Sequence, residues 1–266
     1  MTSRYFSRFL IACSFAAMTV SGAAAQAAKP FEPFSGQPGK DVVWVPTAQA
    51  LVDRMLDMAK VTSKDYLVDL GSGDGRTVIT AAKRGVRAMG VEFNPEMVAL
   101  SRHNAAAAGV TDKATFVQGD IFQTDFSKAD VVTLFLLDSL NLRLRPTLLA
   151  MKPGTRVVSN TFDMGEWEPD EIVSTTAECS SFCHASFWIV PAKVGGLWQM
   201  QKSELTLSQN FQMLSGTLNA APISNAKMRG SEITFTAGGK TFTGRVTGKR
   251  MEGTASDGSK WQATQR

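Results

Sequence analysis

The sequence predicts an α/β fold: a mostly parallel sheet with helices on both faces, followed by a small antiparallel β domain. Short apolar strands alternate with helical segments up to about residue 195, and this alternation favours a parallel sheet. From Gly196 onward, glycines separate stretches of alternating threonine and aromatic residues, which indicates antiparallel strands. The 266 residues are 44% hydrophobic and 20% charged, a composition that excludes disordered, collagenous and coiled-coil chains.

The elements of the first domain follow from hydrophobic spacing. Thr47 is expected to cap a helix in which Leu51, Val52, Met55 and Leu56 share one face. The predicted strands are Tyr66 to Leu70, Ala88 to Phe93, Ala114 to Gln118, Val131 to Leu137 and Arg156 to Phe162. The other predicted helices are Thr77 to Arg84, Pro95 to Ala108 and Asn141 to Met151.

Two tight turns predict hairpins in the second domain, because two-residue turns containing glycine determine strand register. The predicted turns are Gly238-Gly239 and Gly248-Lys249. The expected cross-strand pairs are Phe235 with Phe242, Ile233 with Gly244, Val246 with Met251 and Arg245 with Glu252.

Residues 1–27 are predicted to be a signal peptide, joined by an extended linker at 28–40 to a first domain at 41–195 and a β domain at 196–266. Two arginines precede an apolar run from Phe9, and small residues follow, with cleavage expected after Ala25 or Ala27. The alternatives are a lipoprotein cleavage box ending at Cys13 and an uncleaved anchor, since a bilayer span needs roughly 17 to 25 apolar residues. We therefore expect export, to the periplasm in a bacterial cell, and no integral membrane domain after cleavage.

The distribution of charge argues against a nucleic-acid partner. Residues 26–195 contain 17 basic and 20 acidic residues, whereas residues 196–266 contain 9 basic and 4 acidic ones. The Lys and Arg residues form no dense cluster of the kind that binds a phosphate backbone. The basic excess of the β domain either binds an acidic partner or is simply solvated.

A glycine-rich loop follows the first predicted strand, in the sequence Asp69-Leu-Gly-Ser-Gly-Asp-Gly75. Such a loop before a helix brings the backbone close to a nucleotide-type ligand. Glu92 ends the second strand, where a carboxylate can accept both hydroxyls of a ribose. Arg76 occupies the position of the third glycine of a dinucleotide fingerprint, and this disfavours NAD.

Acidic residues near this loop favour a cationic ligand. Asp69 and Asp74 suit a ligand with an ammonium and a sulfonium better than a pyrophosphate, although Asp74 could also serve loop structure alone. Asp120 ends the third strand and could accept the exocyclic amine of an adenine, or cap a turn.

These motifs resemble those of the class I S-adenosylmethionine (SAM) dependent methyltransferases: DLGSGDGR at 69–76, GVEF at 90–93 and QGDI at 118–121. VPT at 45–47 and WEPD at 167–170 are most similar to the ATP-synthase c-subunit lysine methyltransferase family. The resemblance covers roughly half of the chain. It implies a Rossmann-like, mostly parallel seven-stranded sheet and SAM as cofactor.

On this basis we expect a SAM-dependent methyltransferase acting on a protein, with a lysine amine as the candidate acceptor, or on a small molecule. The residues expected to bind the cofactor are Thr47, Asp69, Gly71, Ser72, Gly73, Gly75, Glu92, Asp120 and Ile121. The alternative is an exported, non-catalytic binding protein in which the nucleoside cleft is inherited and the β domain recognises the partner.

Candidates for the acceptor side lie past the fourth strand, because ligands of such sheets sit beyond the carboxyl ends of the strands. Asp138 and Asn141 are the candidate catalytic residues, with Ser139 beside them. Asn141 could instead cap the following helix. Asp163 and Trp167 could line the cleft, or be a turn residue and a core residue.

No metal site is expected, because the chain has only two histidines and a weak Cys179-x3-Cys183-His184 run. His103 lies in the polar register of a predicted helix and is expected to be exposed. Cys179 and Cys183 form a disulfide if their Cα atoms approach to roughly 5.5 Å, and otherwise remain free thiols.

Overall fold

The computed structural model describes residues 1–2 and 31–266. The predicted leader and its cleavage sites therefore lie outside the described residues. A mixed seven-stranded sheet has the order β3-β2-β1-β4-β5-β7-β6, in which β7 alone runs opposite to the other six strands. Its strands are β1 (Tyr66–Leu70), β2 (Arg87–Glu92), β3 (Ala114–Gln118), β4 (Val131–Leu134), β5 (Arg156–Asn160), β6 (Glu171–Ser174) and β7 (His184–Ile189).

Helices cover both faces of this sheet, as the sequence predicts. They are α1 (Gln49–Met58), α2 (Arg76–Lys83), α3 (Pro95–Ala107) and α4 (Asp138–Leu149). Leu67 of β1 belongs to the hydrophobic core that α1, α2 and α3 cover, whereas Val68 and Leu70 belong to the opposite core beneath α4. Successive residues of a strand face opposite sides, so a strand buried on both faces is mostly apolar, and Asp69 is the exception in β1.

Three helix starts differ from the prediction, that of α2 by one residue. The N-cap of α1 is Ala48, without a side-chain hydrogen bond, so the expected cap by Thr47 is wrong. Helix α4 begins at Asp138, three residues earlier than expected, and Asn141 lies inside it as a fully buried residue rather than at its cap. Strand β4 ends at Leu134 rather than at Leu137, because the chain turns towards α4 earlier than expected.

The second sheet is an antiparallel barrel. Its strands are β8 (Gly196–Met200), β9 (Ser203–Asn210), β10 (Met213–Leu218), β11 (Ala221–Pro222), β12 (Ser224–Arg229), β13 (Glu232–Ala237), β14 (Lys240–Thr247), β15 (Arg250–Ala255) and β16 (Lys260–Gln265). Eight strands close into a ring because β9 pairs with both β8 and β10, while β16 pairs with β8; β11 pairs with β10 alone.

The barrel interior is filled with side chains. Trp198, Met228 and Phe235 are fully buried there, and Phe235 stacks on Phe242 with ring centroids 4.8 Å apart. All four predicted cross-strand pairs are confirmed in register. The two glycine-containing turns therefore determine both hairpins.

The barrel packs directly against the first sheet. The Gln212 side-chain amide donates to the Glu168 carbonyl at 2.7 Å, and Phe211 stacks on Trp167 with centroids 6.2 Å apart. Trp167 is fully buried in this contact and does not line the cavity at the carboxyl ends of the strands, so it is a core residue and not a cleft residue.

Residues 34–47 are part of the folded body, in contrast to the extended linker expected up to residue 40. Gln37 and Trp44 form a β-bridge, with the Trp44 N–H donating to the Gln37 carbonyl at 2.9 Å. Gln37 is buried and its amide approaches the Met97 sulfur at 3.6 Å. The prolines and glycines of this segment therefore shape a strap rather than a spacer. Among the described residues, no helix combines the length and apolar character that a membrane crossing requires.

Candidate functional site

A cavity opens at the carboxyl ends of β1, β2 and β4. It has about 1040 Å³ of empty space, part of it open to solvent, and lies at the sheet edge where ligands of such folds bind. Residues 37–47 of the strap form one side of it. Eight of the predicted cofactor residues line it: Thr47, Asp69, Gly71, Ser72, Gly73, Glu92, Asp120 and Ile121.

The glycine loop requires glycine for two different reasons. Gly73 has φ +53°, and a Cβ there would lie 2.4 Å from Trp44 Nε1 in the strap. Gly75 has φ +83° at the N-cap of α2, where a Cβ would meet the Phe116 ring at 2.7 Å. Gly75 does not line the cavity. Its position turns the loop into the helix, and its contact with the cofactor stays a prediction.

The side-chain hydroxyl of Ser72 in this loop has no hydrogen-bond partner among the described residues. Its Oγ is buried and neither accepts nor donates a hydrogen bond among the described residues. A buried hydroxyl of this kind favours a ligand that can bond to it, because an unsatisfied polar group costs free energy.

Glu92 ties the end of β2 to the loop. One carboxylate oxygen accepts from the Gly73 N–H at 3.0 Å, and the other accepts from the Asn94 N–H at 2.9 Å. Asn94 in turn caps α3, accepting from Glu96 and Met97 N–H groups. These bonds hold the Glu92 carboxylate at the strand end, facing the cavity.

Asp69 lies at the end of β1 and is only 7% exposed. Burial raises the pKa of its carboxyl from 3.8 to about 7; the Thr133 hydroxyl, which donates at 2.6 Å, opposes that rise, and the negative charges of Asp74 and Glu92 add to it. Three carboxylates around one loop create a negative potential that a cationic ligand would relieve.

Asp120 already has a partner in the strap. Its Oδ2 accepts from the Lys40 ammonium at 2.7 Å, and its Oδ1 accepts from the Phe122 N–H at 2.9 Å. The Lys40 ammonium lowers the pKa of the Asp120 carboxyl. Lys40 also lies over the Phe93 ring, 5.0 Å from its centroid. The strap is thus tied to the end of β3 across the cavity.

Asp74 and Arg76 of the loop region form an ion pair with each other, and Arg76 also contacts the strap. Asp74 forms an ion pair with Arg76 at 2.6 Å, which serves loop structure. The Arg76 guanidinium also donates to the Thr47 carbonyl at 2.8 Å. The Thr47 hydroxyl accepts from the Asn160 side chain at 3.2 Å, so β5 positions Thr47 at the cavity wall.

The two candidate catalytic residues do not line the cavity. Asp138 is exposed, and its carboxylate accepts from the Asp163 N–H at 3.0 Å. The Asn141 amide donates at 3.1 Å to the Ser159 hydroxyl and to the Phe162 and Asp163 carbonyls. Asn141 therefore holds the loop after β5 through its amide nitrogen, while its buried Oδ1 has no partner among the described residues; a catalytic role for it stays a prediction.

Cys179 and Cys183 form a disulfide, with their Cα atoms 5.8 Å apart. The His184 ring approaches the Thr161 carbonyl at 3.2 Å, and His103 is exposed as expected. No cluster of metal-ligating side chains occurs in residues 31–266, where the structure can be described.

Sequence reasoning missed the strap residues Lys40 and Trp44 and the aromatic residue Phe135, all of which line the cavity. Phe135 directly follows β4, at the same sheet edge as Asp69 and Glu92. Phe135 could have been predicted from its position just past the end of a strand. Nothing in the sequence indicated a role for Lys40, because its partner Asp120 is 80 residues away.

The parallel sheet, the glycine loop after β1 and the acidic ends of β2 and β3 define a nucleoside-binding site of the class I SAM-dependent methyltransferase type. The comparisons with known proteins agree. Residues 69–171 match the family model described as ANTKMT methyltransferase domain. A protein-lysine N-methyltransferase from Saccharolobus islandicus is 47% identical over 135 residues, which are 50% of this chain and 84% of that protein.

Two further similar proteins extend this picture. An ATP synthase c-subunit lysine N-methyltransferase from Mus musculus is 37% identical over 136 residues, 51% of this chain but only 53% of that protein. An RNA methyltransferase from Salinibacter ruber, whose crystal structure contains S-adenosyl-L-homocysteine, is 47% identical in sequence. The two structures align with a TM-score of 0.53 over 56% of this chain and 96% of the Salinibacter chain.

The chain belongs to this family of SAM-dependent methyltransferases, and its cofactor is SAM. None of these relatives supports the alternative of a non-catalytic binding protein. The match accounts for about half of the present chain, so the family says nothing about the barrel.

Proposed function

We propose that this protein transfers the methyl group of SAM to a lysine side-chain amine in a protein acceptor. The names of the Saccharolobus and mouse relatives support a lysine acceptor. The observation that carries the proposal is charge: three exposed acids, Asp138, Asp163 and Glu178, follow the carboxyl ends of β4, β5 and β6. An RNA acceptor would instead need basic side chains to neutralise its phosphates.

The acids past the carboxyl ends of β4, β5 and β6 suit a cation. Asp138, Asp163 and Glu178 are all exposed there. They would attract a lysine ammonium to the site and repel a polyanion. Asp138 thus has a proposed role in attracting the acceptor, and a catalytic role for it is not needed.

We propose that the eight cavity-lining residues identified above hold SAM. Glu92 would accept the ribose hydroxyls, and Asp120 the adenine amine once it shares or releases Lys40. Asp69 would face the ammonium of the methionine part, and Ser72 would satisfy its buried hydroxyl on the ligand. SAM, when bound, supplies a methyl group on a positively charged sulfur.

The protein's own contribution to the reaction is position and exclusion of water. In-line methyl transfer disperses charge, so holding the amine and the methyl group in line can carry much of the rate. The acceptor ammonium would first lose its proton to solvent, and an apolar surrounding favours the neutral amine. The amine nitrogen would then bond to the methyl carbon as the carbon–sulfur bond breaks, so that S-adenosylhomocysteine leaves. The residues that line the cavity all lie between Gln37 and Leu140, so we propose that residues 196–266 act outside cofactor binding.

The test is methyl transfer from SAM carrying a radioactive methyl group. The full-length protein is incubated with protein and RNA fractions from its own cells, and the labelled product is hydrolysed and separated. We expect label in methylated lysine, sensitive to protease and resistant to ribonuclease. The variant D69A/E92A should give none. Label that enters RNA, or SAM binding without labelled lysine in any fraction, would refute the lysine proposal.

We also propose that the protein is exported to an oxidising compartment. The composition of residues 1–27 supports this, and so does the Cys179–Cys183 disulfide, because disulfides persist mainly outside the reducing cytosol. Fractionation followed by mass spectrometry should find a mature chain that begins after residue 25 or 27. An intact N-terminus in the cytosolic fraction would contradict export, and one in the membrane fraction would indicate the uncleaved anchor.

A further inference from the structure

Three phenylalanine rings form a continuous cluster that runs from the cofactor cavity to the protein surface. The centroids of Phe135 and Phe182 are 5.3 Å apart, those of Phe135 and Phe162 are 6.1 Å apart, and those of Phe162 and Phe182 are 6.2 Å apart. Phe135 lines the cavity, while Phe182 is 38% exposed. The cluster therefore connects the cavity with solvent at the carboxyl ends of β4 and β5.

The backbone has an unusual conformation at one of these phenylalanines and directly before another. Phe182 itself has φ +57°, and Thr161, directly before Phe162, has φ +62°. Bulky and β-branched residues adopt this region rarely, and such outliers persist only where the surrounding structure imposes them. The backbone of Thr161 is bonded to that of His184, with its N–H donating to the His184 carbonyl at 2.9 Å.

The disulfide is the second constraint on Phe182. Cys179 and Cys183 enclose it in a five-residue loop, so the ring has little freedom to leave the cluster. The covalent constraint acts on the loop backbone that carries the ring, and without it this backbone could move the ring away from Phe135. The disulfide thus acts on Phe182 without itself lying at the cavity.

The chemistry of the cluster fits the acceptor of the proposed reaction. Aromatic faces attract ammonium groups and methylated ammonium groups. Rings that exclude water also favour the neutral amine, which is the form that attacks the methyl group. Phenylalanine rings can also stack on nucleobases, but the exposed carboxylate of Asp163, next to Phe162 in the chain, favours a cation over a polyanion.

We propose that Phe135, Phe162 and Phe182 form the channel for the acceptor lysine side chain, and that the Cys179–Cys183 disulfide is a positioning element for Phe182. This inference rests on the proposed lysine methyltransferase function and names residues of its acceptor site. It assigns a role in substrate binding to a loop that lies beyond the family match, which ends at residue 171.

The test uses the full-length protein with a small defined acceptor, Nα-acetyl-lysine methylamide, and SAM as the methyl donor. F182A should raise the KM for this acceptor about 5- to 30-fold, as expected for loss of a partly desolvated cation–π contact. The kcat and the Kd for SAM should remain within about twofold of wild type. F182W should restore the KM, and F182L should not, since leucine has no ring face.

The disulfide is tested by a mutant cycle. C179S/C183S should raise the KM in the same direction as F182A, and the triple variant should be no worse than F182A alone, because the disulfide acts only through that ring. M213A removes another exposed apolar side chain, 55% exposed on β10, and serves as the matched control with unchanged KM. Thermal melts show whether each variant is folded.

The outcomes separate the two proposals. If wild type methylates the lysine probe but F182A and F182L have wild-type KM values, the channel is refuted while the lysine function stands. If F182A loses SAM binding as well, the ring supports the cofactor site and the channel is again refuted. If wild type binds SAM but methylates no lysine, the proposed function fails and the channel fails with it. Additive effects in the triple variant would refute the positioning role of the disulfide.

Discussion

The ionisation of Asp69 should make SAM binding depend strongly on pH. In the ligand-free protein the pKa of this buried carboxyl is about 7, so most molecules carry a proton there at pH 6. If the bound ligand places its ammonium against Asp69, the complex contains the ionised carboxylate. Binding below pH 7 must then release that proton, and affinity falls as pH falls.

The size of the change in the Kd for SAM follows from the pKa of Asp69. For a pKa of about 7 and an ionised complex, the Kd for SAM should rise about 25-fold from pH 7.5 to pH 5.5, on the order of 2 kcal/mol. This range stays below the ordinary pKa of an α-amino group, ~7.7–8.0, so the ligand ammonium keeps its charge. At pH 6 each binding event should release about 0.9 proton.

Isothermal titration calorimetry measures both quantities. Titrations at several pH values give the Kd, and repeating them in buffers of different ionisation enthalpy gives the protons released. D69N keeps an acceptor oxygen for the Thr133 hydroxyl but cannot ionise. It should bind SAM weakly and with no such slope. A wild-type Kd that is constant from pH 5.5 to 7.5, or an equal slope in D69N, would refute the assignment of Asp69 to the ligand ammonium.

Three further predictions concern stability and the loop. The folded-state pKa of Asp69 lies above its unfolded value of 3.8, so folding becomes less favourable as pH rises from about 4 to 7 and the carboxyl ionises. D69N cannot ionise and should therefore stabilise the ligand-free protein at pH 8 by up to about 4 kcal/mol, but not at pH 4. Urea unfolding at the two pH values measures the difference. G73A should weaken SAM binding at least about tenfold, because the added methyl group meets Trp44 at 2.4 Å; G239A, at φ +75° with no described atom within 4 Å of the Cβ, is the control for backbone strain alone. N141A should destabilise the fold by about 2–4 kcal/mol, because it removes three hydrogen bonds from a fully buried amide; loss of methyl transfer without loss of stability would instead support a catalytic role.

Much of the fold could be predicted because its signals are local. The bounds of β1 and β3 agree with the sequence prediction residue for residue, since short apolar strands lie between clear loop signals. The hairpin register was accessible because a two-residue turn leaves only one pairing, and Phe235 lies opposite Phe242 as a result.

The parts that could not be predicted depend on contacts between distant residues. The prolines and glycines of the strap are typical of a linker, yet Lys40 bonds to Asp120, 80 residues away. The polarity of Asn141 suggests an exposed helix cap or a catalytic group. Its burial depends on carbonyls about 20 residues further along the chain. Composition contains no information about such pairings.

The closure of the barrel has a consequence for how the chain is assembled. Its last strand, β16, pairs with its first, β8, through Thr264 with Gln199 and Gln265 with Trp198. Until residue 265 has been synthesised, β8 and β15 present unpaired edges and the apolar interior is open to water. Unpaired strand edges promote association between chains. An exported protein of this design would therefore depend on staying unfolded, or on being protected, until its final strand has crossed the membrane.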